Sequence, residues 1–63
     1  MLDKDQKNLR IGIENDASEV ASIYGTEIVK GILNRYDATC IDDLNPCYYW
    51  EVFGDLELII NDN

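Results

Sequence analysis

Two cysteines, a scatter of carboxylates and a dense aromatic cluster are the side chains of this sequence that could do chemistry. A thiol becomes a nucleophile when a neighbouring base or a helix N-terminus favours its thiolate. The chain has no histidine, so Cys40 and Cys47 lack their usual activating partner and no Ser/His pair can form. Carboxylates pair at Asp42-Asp43 and, one helical turn apart, at Glu51 and Asp55. General acid catalysis needs one such group raised by an enclosing pocket. A chain of 63 residues leaves little interior for that purpose. The expectation is therefore a protein that is not an enzyme, with no catalytic residue and no cofactor.

Metal binding fares no better. The cysteines stand seven apart with no histidine to complete a zinc site. They read as small apolar fillers, reduced in a reducing compartment. Asp42-Asp43-Leu44-Asn45 and Asn61-Asp62-Asn63 are oxygen-rich, yet neither matches the spaced acidic loop that holds calcium. They read as helix caps and a polar tail. Four glycines are scattered at Gly12, Gly25, Gly31 and Gly54, so no phosphate-cradling loop is present.

The aromatic cluster carries more information. Residues 48–53 run Tyr-Tyr-Trp-Glu-Val-Phe and hold four of the six aromatic residues. On a helix, Tyr49 and Phe53 share the apolar stripe while Trp50 falls about 100° from Tyr49, beside Glu57. Tyr48 sits on the other flank. An aromatic side chain on a helix flank with acids nearby suits a protein-interface anchor, and it equally suits a residue that tucks under a neighbouring helix to complete a small core.

Charge sharpens the picture. Residues 1–36 hold all five bases and six acids, whereas residues 37–63 hold seven acids and no base, for a net charge of −8 overall. Such a half repels phosphate and anionic lipid, so direct nucleic-acid binding and membrane binding are not expected. It suits a basic protein partner, or serves solubility alone. The polar opening Met1 to Lys7 has no apolar core of a signal peptide, and the longest uninterrupted aliphatic run is Leu58-Ile59-Ile60. A cytoplasmic location is expected.

The elements that must position these residues follow from periodicity. Leu9, Ile13, Ala17, Val20 and Tyr24 fall within about 40° of Ile13 on a helix, and Gly25 stands where a left-handed glycine would end it. Thr26 reads as the N-cap of a second helix with Glu27 in its first turn. Its apolar face is Ile28, Val29, Ile32, Leu33 and Tyr36, and Asp37-Ala38 should close it. Thr39-x-x-Asp42 has the form of a capping box, opening one helical turn that ends at Leu44. Asn45 then reads as N-cap with Pro46 at the first helical position. Tyr49, Val52, Phe53, Leu56 and Ile60 form the last stripe, with Glu51, Asp55 and Asp62 opposite it. The predicted fold is all-α: one small acidic domain over 1–63, with a bundle of three main helices near 8–24, 26–37 and 45–60 and a short helical turn before the last. Residues 9–13 and 56–60 also alternate as strands would, which keeps α+β as the alternative.

The run Tyr36 to Leu56 resembles a set of small uncharacterised acidic proteins encoded on conjugative transposons of gut Firmicutes. The residues that carry the resemblance are Ile41-Asp42-Asp43-Leu44, then Asn45-Pro46-Cys47-Tyr48-Tyr49 and a helix running toward an acidic tail. Tyr24-Gly25 fits as well, so the likeness spans residues 8–63 with its specific part in 36–56. It contains no catalytic motif and carries no residue role over. What it implies is a cytoplasmic bacterial accessory protein of a mobile element.

Two functions fit this reading. In the first, Tyr48, Trp50, Glu51, Asp55, Glu57 and Asp62 form the interaction surface of a non-catalytic module that binds an unidentified basic protein, with DNA mimicry as the extreme form. In the second, the chain is a structural homo-oligomer, a homodimer in the simplest case, whose acids serve only solubility.

Overall fold

A computed structural model of the chain describes residues 4–61. Helix α1 (Lys4–Tyr24) begins five residues before the apolar stripe does. Nothing in Lys4-Asp5-Gln6-Lys7 opposes helix, and straight-chain Lys and Gln favour it. A single residue, Gly25, separates α1 from α2 (Thr26–Asn34). Its amide still donates to the Ala21 carbonyl at 3.0 Å, but its φ of 100° and ψ of 155° then turn the chain back. That region is open essentially to glycine alone, and it is more extended than the left-handed conformation expected there. Gly25 is also the N-cap of α2, with no side-chain cap bond. Thr26 is the first helical residue rather than the cap, because the glycine reverses the chain one position earlier.

Helix α2 ends at Asn34, three residues short of the predicted 37, and a turn over residues 35–37 closes it at Asp37-Ala38. Asp37 takes a left-handed φ of 59°, its amide donates to Asn34 O at 3.2 Å, and the Ala38 amide donates to Leu33 O at 3.0 Å. This is a Schellman closure, and the buried pair Leu33 and Ala38 supplies its usual apolar contact. The capping box does not form as spaced. Asp43, not Asp42, accepts from the Thr39 amide at 3.2 Å and from its hydroxyl at 3.5 Å. Residues 41–44 make turns rather than a helix, with Asp43 N bonded to Cys40 O and Leu44 N to Ile41 O. Asn45 caps as predicted, accepting from the Cys47 amide at 3.1 Å with Pro46 at the helix start. The first turn, Pro46–Tyr48, is 3₁₀ and runs directly into α3 (Tyr49–Asn61).

The order is up, down, up. Tyr36 at the end of α2 meets Tyr48 at the start of α3, ring centroids 5.2 Å apart, so α3 runs antiparallel to α2 and parallel to α1. Ile13, Ala17 and Val20 of α1 pack with Ile32 and Leu33 of α2 and with Tyr49, Val52 and Leu56 of α3. Ala38 and Leu44 close the base of this core from the connection, which an Arg10–Asp42 ion pair ties to α1. Residues 9–13 and 56–60 lie inside α1 and α3, and no strand occurs among the described residues. The protein is a small all-α bundle.

Tyr24 and Ile28 of the predicted stripes are exposed, and three expected core residues differ. Phe53 is half-buried rather than enclosed, and its ring lies over Gly12, where an added Cβ would stand 3.0 Å from Phe53 Cε1. The missing side chain at Gly12 is what lets the ring reach α1. Cys40 and Cys47 are free and exposed. They are not core fillers, because the connection turns Ala38 and Leu44 inward instead.

Candidate functional site

The expected interaction residues that are described fall on two flanks of α3 and of the 3₁₀ turn before it. On the α1 side, Trp50 is 73% exposed, so it does not complete the core. Its ring is held edge-on to Phe53, with centroids 6.3 Å apart and planes at 79°, an arrangement that aromatic quadrupoles favour. Trp50 and Phe53 form one wall of a shallow groove of about 360 Å³, and Asn8, Leu9 and Gly12 of α1 form the other.

One turn along from Phe53, Glu57 is half-buried against Asp16 of α1. Here two carboxylates meet with no base between them. Asp16 Oδ2 is sealed from solvent and has no hydrogen-bond partner. Its carboxyl is pushed up to about 6, first by burial, then by the neighbouring Glu57 carboxyl and by the charge of Glu19. Composition did not single out Asp16. The available signal was its place about 60° from Ile13, at the edge of the apolar stripe.

The α2 side differs from expectation. Asp55 is half-buried and accepts a hydrogen bond from the Tyr36 hydroxyl at 2.8 Å. That bond, with burial and the charges of Asp55 and Glu51, raises the Tyr36 phenol above its ordinary value. Asp55 is thus a packing residue between α2 and α3, not part of a free acidic face, because α2 approaches α3 from the flank where the helical wheel placed solvent. Tyr48 leans on Tyr36 in the same cluster. Glu51 is exposed, and Asp62 lies outside the described residues.

The remaining oxygen-rich stretch is occupied locally. Asp42 binds Arg10, Asp43 binds Thr39 and Asn45 caps Cys47. Asp42 also holds the Arg10 guanidinium more firmly protonated, chiefly through their hydrogen bond. No group of three or more His, Cys, Asp or Glu side chains among the described residues could hold a metal ion, and no helix among them is long and apolar enough to cross a membrane.

Fold and surface together define a small acidic three-helix bundle with an exposed tryptophan beside a carboxylate pair. No protein-family model, curated protein or solved structure matches the chain.

Proposed function

We propose that this protein is a non-catalytic protein–protein interaction module that binds a basic partner along the α1-facing flank of α3. One observation carries the reading: Trp50, 73% exposed and fixed edge-on by Phe53, stands on the flank that also bears Glu57 and Asp16. A large aromatic on a rigid helix is costly to leave in water and suits an anchor. A partner's Lys or Arg can pack on its face while relieving the Asp16–Glu57 repulsion, and the base-free sequence after Tyr36 steers such a partner inward. The resemblance over Tyr36 to Leu56 supports a bacterial setting, in which this is a cytoplasmic accessory protein of a mobile element and its partner a basic protein of the same element. Nucleic acid and membrane are not direct ligands in this reading.

The test is capture on immobilised protein from a host extract, at low and moderate salt, with wild type, Trp50→Ala and Glu57→Gln. A basic protein retained at low salt, and lost with Trp50→Ala at unchanged helicity, is the expected result. Equal recovery by folded Trp50→Ala would remove this flank from the mechanism.

A further inference from the structure

The outward strip of α2 has a composition that its own bundle does not explain. Gly31 sits mid-helix, where glycine weakens a helix relative to alanine, yet nothing lies within 4 Å of where its Cβ would stand. No close approach inside the molecule requires it. Gly31 helps line a groove of about 430 Å³ between α2 and α3, away from Trp50. Ile28 and Leu58 border this groove while 43% and 71% exposed. Glu27 and Arg35 stand at its ends, four residues before and after Gly31. They therefore lie about 6 Å to either side of it along the axis and within about 40° of it around the axis.

We infer that this face binds a second copy of the chain, α2 packing antiparallel on α2 about a two-fold axis at Gly31. In an antiparallel pair centred there, Glu27 of each copy meets Arg35 of the other, so the same ion pair forms twice, as an isologous interface requires. The missing side chain at Gly31 lets the two backbones approach, and Ile28 and Leu58 leave water together. Within one chain these charges are weakly engaged. Glu27 reaches only Lys30, at 4.0 Å, and Arg35 makes no ion pair among the described residues.

Charge also selects the occupant. Residues 25–36 hold one acid and two bases in a chain of net charge −8, so this is where two such molecules can meet without like-charge repulsion. Asp55, which also lines the groove, is already bound by Tyr36. The proposal is independent of the basic-partner reading, since Trp50 lies on the other flank of α3.

Sedimentation equilibrium from micromolar to millimolar protein, with circular dichroism on each variant, tests it. Glu27→Arg and Arg35→Glu should each loosen the homodimer by about tenfold or more. The Glu27→Arg result is telling, because that change lowers the overall repulsion between copies. Mixed together, the two single variants should associate as tightly as wild type, since each supplies the charge the other lacks. Gly31→Gln should leave a monomer of higher helicity. A chain that stays monomeric at millimolar concentration overturns the proposal. So does a dimer indifferent to Gly31→Gln, or a pair of charge variants that do not rescue each other.

Discussion

At the scale of single residues, two backbone positions do opposite things with a positive φ. Asp37 holds φ at 59° to close α2, a conformation that costs an L-residue about 1–2 kcal/mol. Asp37→Gly removes that cost, and the extra freedom of glycine in the unfolded chain returns part of it. The net gain should be about 0.5–1 kcal/mol, or a few degrees in melting temperature for a domain of this size. Gly25→Ala should have the opposite sign, by about 1–3 kcal/mol, since φ of 100° with ψ of 155° is closed to alanine. Thermal unfolding followed by circular dichroism reads both, and a loss of stability in Asp37→Gly would show that the aspartate side chain contributes more than its backbone strain costs. Local sequence foretold the places of these turns well. Gly25 and Asn45-Pro46 end or begin helices where their own chemistry says they should, while Asp37-Ala38 closes a turn three residues past the end of α2. It misplaced the partner of Thr39 by one residue, because the choice between adjacent Asp42 and Asp43 is made by Arg10, 32 positions away.

At the scale of elements, the three stripes gave the buried faces, but they did not say from which flank each neighbouring helix arrives. That missing fact moved Asp55 from solvent to the Tyr36 hydroxyl, and it brought Asp16 against Glu57. The α1–α3 contact consequently carries a pH dependence with a definite sign. The Asp16 carboxyl lies at 3.8 when free and about 6 in the folded bundle, so the folded state binds its proton more tightly than the unfolded chain does. A raised carboxyl favours folding fully below 3.8, and that contribution is lost as pH rises through about 6. The groups facing it are Glu57 of α3 and Glu19 of α1, both acidic, and neither opposes this sign. Asp16→Asn keeps a donor for Glu57 without the charge. It should therefore be more stable than wild type at pH 7, and the difference between the two should shrink toward pH 4. Urea midpoints across that range check it. A constant difference between the two proteins would place the effect in packing rather than in the proton.

At the scale of the whole molecule, size and charge act together. The radius of gyration is 10.9 Å, close to the roughly 10.6 Å expected for a folded chain of this length. It is also about one Debye length at 0.1 M ionic strength, roughly 10 Å. At low salt every charge therefore feels most of the others, and a net −8 pushes the compact state apart. Among the described residues, the attractive terms that salt would also weaken are few. Arg10–Asp42 and Glu27–Lys30 are solvent-accessible pairs, and such pairs contribute about 0–1 kcal/mol each. Repulsion therefore has the larger share to lose. Sodium chloride added up to a few tenths molar should raise the melting temperature, with most of the rise complete once the Debye length falls well below the molecular radius. The measurement belongs at dilute protein, where self-association through α2 does not add a concentration-dependent term of its own. A melting temperature that falls with salt would mean that the ion pairs outweigh the net charge.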